Sequence, residues 1–156
     1  MNKIDELMRT YEATEAHLRK LGKEIEKLKQ AKTGRWKPKS GDDYWYIYTN
    51  GDVWRDNDYN NKRYSIGNVF RTKEEAEFKV ERLKVIAELK EYASEFVYGR
   101  NNYYINWSFS NDSLKICWLK FEKSCELYFE SEEIARQAIE AVGEDRVKKH
   151  YLGVGG

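Results

Sequence analysis

The chain has 156 residues, of which 40% are hydrophobic, 15% aromatic and 35% charged, with a formal charge of +1. This balance excludes a disordered chain and a uniformly basic nucleic-acid binder, and the length suits one domain with an appendage rather than two full domains. No apolar run approaches the ~20 residues that cross a bilayer and the N-terminal stretch lacks the apolar centre of an export signal, so a cytoplasmic protein with no membrane partner is expected.

Ile4, Leu7, Tyr11, Thr14, Leu18, Leu21, Ile25 and Leu28 follow one another at alternating spacings of three and four. Two seam positions in seven make a stripe narrower than that of a core-facing helix, so residues 1–33 are expected to form a coiled-coil oligomerisation helix, a homodimer being favoured. Thr14 weakens the middle of the seam; it either fixes register or is a tolerated defect. A helix folded back on its own domain would bury the same stripe and leave a monomer.

Gly34 is suited to end the helix and Pro38 to prevent its resumption, which leaves a basic linker at 34–41. From Arg19 to Lys39 there are nine Lys or Arg against only Glu24 and Glu26. Lys32, Arg35, Trp36, Lys37 and Lys39 supply the cations and the aromatic plate of a nucleic-acid contact, although coiled-coil flanks are often charged in any case.

From residue 42 the period falls to two. Tyr44–Tyr48 reads as a strand, Asn50-Gly51 as a hairpin turn, and Asp52-Val53-Trp54 as the start of the return strand. After a polar loop at 56–61, Arg63–Ile66 is expected to be a third strand. Thr72 with Glu75 forms a capping box for a helix predicted over Lys73–Phe96, with Ala76, Val80, Leu83 and Ala87 as one apolar stripe and Val85, Leu89, Tyr92 and Phe96 as another.

A second series follows the same plan: strands at Tyr103–Trp107, Leu114–Phe121 and Cys125–Phe129, then a helix capped by Ser131 that turns Ala135, Ala138, Ile139 and Val142 inward until Gly143. The segments from Phe70 to Ala76 and from Phe129 to Ala135 match in type, 59 residues apart. The expected fold class is therefore α+β: a coiled-coil helix, then an aromatic-rich domain at 42–152 built of two similar halves (42–98 and 101–152), with an antiparallel sheet and its helices packed on one face. Residues 153–156 are expected to be a loose tail.

Catalytic apparatus is not visible, so an enzyme is not expected. His17 and His150 lie far apart and read as surface residues; Cys117 and Cys125 read as reduced, half-buried strand residues. Asp56, Asp58 and Asn60 open like a calcium loop, but Asn61 replaces the required Gly and Gly67 the bidentate Glu, so neither metal nor cofactor is expected. The dense aromatics are more suggestive. Tyr46, Tyr48, Trp54 and Tyr59 with Arg55 and Arg63 are candidates to stack a nucleotide-like small molecule or anchor a host protein, set against cross-strand pairs that only stabilise a small sheet.

Trp36-Lys37-Pro38-Lys39, Ile66-Gly67-Asn68 and Thr72-Lys73-Glu74-Glu75-Ala76-Glu77 give the chain a likeness over residues 36–152: it resembles a family of small, mostly uncharacterised phage and prophage proteins of Firmicutes. The resemblance implies an accessory protein in the host cytoplasm that oligomerises and binds something of the host, and it transfers no functional residue. The function expected is a non-catalytic binding protein that antagonises host defence by sequestering a nucleotide-like ligand or occluding a host protein. A nucleic-acid binder using the basic neck and a virion assembly protein are the alternatives.

Overall fold

The computed structural model describes residues 2–155, with the side chains at positions 30–33, Lys32 among them, outside that description. The elements are, in order, α1 (Lys3–Thr33), β1 (Tyr44–Ile47), β2 (Val53–Asp56), α2 (Asn61–Ser65), α3 (Lys73–Lys90), β3 (Asn102–Ser108), β4 (Ser113–Leu119), α4 (Glu132–Val142), α5 (Glu144–Arg146) and a π-helical turn at Val147–Tyr151. The class is α+β, and no helix among the described residues is long and apolar enough to cross a membrane. The chain divides into two compact units, one of residues 1–46 and 54–72, the other of 47–53 and 73–156.

In the first unit, the Asn2 carboxamide oxygen accepts the Ile4 N–H at 3.3 Å at the head of α1, and Asp5 and Glu6 stand in its first turn, where the dipole favours acids. Gly34, at φ 64°, follows the last turn in the left-handed conformation that glycine adopts without strain. The seam is exposed along its whole apolar length: Ile4 at 63%, Tyr11 at 67% and even the least exposed, Leu21, at 40%. The neck then turns back, and the Lys39 ammonium pairs with Glu26 on α1.

Asn50-Gly51 makes the turn the sequence predicts. Gly51 sits at φ 88° and donates to the Tyr48 carbonyl at 2.9 Å, while the Asn50 side chain accepts from the Asp52 N–H at 3.0 Å. Alternation along β1 buries Tyr44 and Tyr46 and leaves Trp45 and Ile47 half-exposed.

The expected third strand is a helix. Asn60 caps α2 by accepting the N–H groups of Lys62 and Arg63 at 3.0 and 3.2 Å, and this local closure outweighs the strand preference of Tyr64 and Ile66.

The second unit carries the larger core. β3 and β4 pair antiparallel with Tyr104 opposite Cys117 and Ile105 opposite Ile116, and α4 packs across both strands. Val85 and Leu89 of α3, Ile105, Leu127, Phe129, the α4 residues Ala135, Ala138 and Val142, and Val147 form one buried cluster, with Tyr151 and Leu152 packed against it. Ser131 caps α4 by accepting the Ile134 N–H at 3.1 Å, and Gly143, at φ 103°, ends it.

Arg146 ties α5 to α3 through a two-pronged pair with Glu88 at 2.8 and 2.9 Å. Each hairpin is also capped on its outer edge by one residue: Phe70 exchanges both backbone hydrogen bonds with Trp45, and Phe129 does so with Tyr103.

That capping corrects the single sheet expected from the sequence. The strands form two separate two-stranded hairpins, and beyond β1 and β3 the pairing continues only as a one-residue bridge. The expected strand at Cys125–Phe129 is likewise reduced to bridges at Tyr128 and Phe129. The Tyr128 hydroxyl takes the amides of Ser124 and Cys125 at 2.7 and 2.8 Å, which bends the segment out of a ladder.

α3 stops at Lys90 instead of Phe96, since the Ser94 N–H is drawn to the Tyr128 carbonyl at 2.8 Å. Of its first expected stripe, Ala76 is buried while Leu83 and Ala87 are exposed. His150 is not the surface residue expected: it is half-buried, with its ring 4.7 Å from that of Phe78.

Candidate functional site

The site lies in the first unit, where a short hairpin, a five-residue helix and the neck converge. Asn60 starts α2 at a fixed angle, and one turn later Arg63 points back toward β1 and β2. Its Nη1 donates to the Tyr44 hydroxyl at 2.9 Å and to Asp56 Oδ2 at 2.8 Å, and its guanidinium lies 3.6 Å above the ring of Tyr46. A planar guanidinium can hydrogen-bond both oxygens through one nitrogen while its flat face stacks on Tyr46, a stacking that a lysine does not reproduce. Tyr44 passes the network on by donating to the Asp58 carbonyl at 2.7 Å.

The electrostatics follow from these contacts. The N–H of Asp58 and the Arg63 guanidinium hold the Asp56 carboxyl below its usual range. Burial opposes the charge on Arg63, yet the hydrogen bonds it donates to Asp56 and Tyr44 prevail and raise its pKa. Burial pushes the Tyr44 hydroxyl up, so it remains a neutral donor at physiological pH. This half of the site is internally balanced: one cation, one carboxylate.

The other half is not. Arg35 places its guanidinium 3.7 Å from the centre of the Tyr64 ring, and the Lys37 ammonium lies 5.4 Å from the rings of both Tyr59 and Tyr64, which are themselves 6.1 Å apart. Both cations are exposed, and neither has a carboxylate partner among the described residues. The Tyr59 hydroxyl is buried with no hydrogen-bond partner among those residues. Two cations pinned on aromatic faces beside an unpaired hydroxyl form a positively charged patch with hydrogen-bonding capacity to spare.

The sequence treats the aromatic cluster and the basic neck as separate candidates; the structure brings Arg35 and Lys37 of the neck onto Tyr59 and Tyr64. Tyr46, a candidate plate, is buried with one face covered by Arg63. Tyr48 and Trp54 are exposed, at 44% and 50%, and Arg55 lies at the surface with Asp43 3.8 Å away. Trp36 is half-buried, and Lys39 is neutralised by Glu26. Tyr64 is the residue that sequence reasoning leaves out. Its signal was its place at α2, four residues after the Asn60 cap, once that segment is read as helix instead of strand.

Among the described residues no group of three or more His, Cys, Asp or Glu side chains could hold a metal ion. Cys117 and Cys125 are half-buried free thiols. Comparison with protein-family models, with curated proteins and with solved structures returns no match for this chain.

Proposed function

We propose that this chain is a non-catalytic binding protein that self-associates through α1 and holds an anionic, nucleotide-like ligand at the neck patch. The observation that carries the reading is the pair of unneutralised cations, Arg35 and Lys37, stacked on Tyr64 and Tyr59. A phosphate finds there two positive donors whose positions are set by aromatic faces, so little side-chain freedom is lost on binding. The likeness to phage accessory proteins makes the sequestering of a host signalling nucleotide the role proposed for that binding.

Self-association rests on the uninterrupted exposed seam, since an isolated helix of this length is marginal in water until its apolar stripe is covered. The two halves at 42–98 and 101–152 are proposed as an internal repeat. Supporting this, Phe70 and Phe129, 59 residues apart, each bridge to the first strand of their half, at Trp45 and Tyr103, which are 58 apart, and α3 and α4 start at Lys73 and Glu132, again 59 apart.

Titrating a panel of mono-, di- and cyclic nucleotides, followed by calorimetry and by the fluorescence of Trp36, Trp45 and Trp54, tests the reading. Heat and quenching are expected, lost in the Arg35→Ala, Lys37→Ala double variant and weakened by salt. No response to any nucleotide contradicts it. A salt-sensitive grip on oligonucleotides alone, abolished by the same pair of substitutions, would replace it with nucleic-acid binding. The neutralisation of Lys39 by Glu26 counts against that alternative.

A further inference from the structure

We infer that α1 pairs with α1 of a second copy in parallel and in register, so that the two necks, each with its Arg35 and Lys37, emerge from the same end of a two-stranded coil. The inference rests on the self-association proposed above and gives it a direction.

The seam places Ile4, Tyr11, Leu18 and Ile25 at the first core position of each heptad and Leu7, Thr14, Leu21 and Leu28 at the second. Isoleucine at the first position with leucine at the second favours parallel two-stranded coils, and the two end heptads, Ile4 with Leu7 and Ile25 with Leu28, have that combination. Thr14 suits that arrangement. Its hydroxyl already donates to the Thr10 carbonyl at 2.7 Å, so it demands nothing of the partner, and in a parallel pair it meets only its own copy. In the antiparallel register that covers all eight seam positions, Ile4 lies opposite Leu28 and each Thr14 opposes a Leu18, so two core layers are weakened instead of one.

Charge decides more firmly. The residues flanking the core are Lys3, Thr10, His17 and Glu24 on one side and Met8, Glu15, Gly22 and Lys29 on the other. A parallel pair sets each flank against the opposite flank of its partner, five residues further along. Lys3 then meets Met8, Thr10 meets Glu15, His17 meets Gly22, and Glu24 meets Lys29 twice by symmetry, with no like charges opposed. Glu24 and Lys29 have no ion-pair partner among the described residues. Their five-residue spacing turns them to different sides of their own helix, so a second chain is needed to bring them together.

The antiparallel register pairs like flank with like. Glu15 then faces Glu15 and His17 faces His17 across the two-fold axis. Arg19, 2.8 Å from Glu15, screens only part of that repulsion. One end of a parallel coil would carry the charge of both necks, presenting an anion with two separated phosphates with two patches at once.

Disulfide trapping on a Cys117→Ser, Cys125→Ser background reads the orientation directly. Leu7→Cys and Leu28→Cys, each oxidised alone with oxidised glutathione, are expected to form covalent dimers, because each meets its own copy in a parallel coil. Covalent dimers only on mixing Leu7→Cys with Ile25→Cys, in a sample that light scattering shows to be dimeric, overturn the orientation and leave self-association standing. A particle of 18.6 kDa by light scattering overturns both.

A charge exchange keeps the core intact. Glu24→Lys alone should raise the dimer dissociation constant about tenfold, and adding Lys29→Glu should restore it. A double variant no better than the single contradicts the parallel pairing.

Discussion

Asn102 shows how a single polar side chain organises a loop. Buried at the start of β3, it donates to the carbonyls of Val97, Arg100 and Leu119 and accepts the Val97 N–H at 2.8 Å. Asn102→Ala leaves these backbone groups without their partner and should cost about 3 kcal/mol in chemical denaturation. Asn102→Asp, nearly the same shape, should cost at least as much, because it aims a carboxylate oxygen at three carbonyls.

Arg63 has the equivalent role in the first unit. Arg63→Lys keeps the charge but not the planar cation stacked on Tyr46, and should destabilise that unit by about 1–2 kcal/mol while the Asp56 pKa rises only part of the way, the Asp58 N–H still holding it down. Titration of the Asp56 carboxyl by NMR checks the second half of that statement.

His150 makes a prediction in pH. Burial, with Lys149 and Arg146 nearby, lowers its pKa below 6.5 although Glu81 pulls the other way. Its Nδ1 is buried with no partner among the described residues. The unfolded chain therefore binds a proton more readily than the folded one between the lowered value and 6.5, so stability falls as the pH drops through that window. Asp56, Glu81 and Glu88, all depressed, contribute stability above their ordinary values near 4 that is lost only at more acidic pH. His150→Phe, packing on Phe78 without a titratable group, should abolish the loss that sets in below pH 6.5 and keep the carboxylate loss at more acidic pH, as read from melting temperature against pH.

At the scale of elements, what depended on local chemistry was readable, with the Asn60 cap as the exception, and what depended on distant partners was not. The strands of both hairpins, the Asn50-Gly51 turn, the Ser131 cap and the stop at Gly143 follow from side chains a few residues away. The Arg63–Ile66 segment misled because Tyr64 and Ile66 favour strand, while the deciding group was the Asn60 side chain just before it. α3 was drawn too long because its pattern continues to Phe96, and only the Tyr128 carbonyl, far along the chain, draws Ser94 away. The candidate site was half legible for the same reason: Arg63, Tyr46 and Tyr59 stood out by type, but no spacing rule places Arg35 on Tyr64. Gly51→Ala, at φ 88°, should cost about 1 kcal/mol and leave the neck patch unaffected, which separates the hairpin turn from ligand binding.

For the whole molecule the exposed seam of α1 is the dominant feature. Every apolar seam residue is exposed, and the neck's ion pair of Lys39 with Glu26 lies off the stripe. A 31-residue helix, about 45 Å long, cannot hold an uncovered apolar stripe in water at little cost, so covering it is the requirement from which the rest of the proposed behaviour follows. Sedimentation equilibrium of the intact chain at tens of micromolar measures this most directly. The account predicts a mass of twice 18.6 kDa that falls to 18.6 kDa when Leu18 and Leu21 are both replaced by Glu. A mass of 18.6 kDa for the unaltered chain across that concentration range would contradict it.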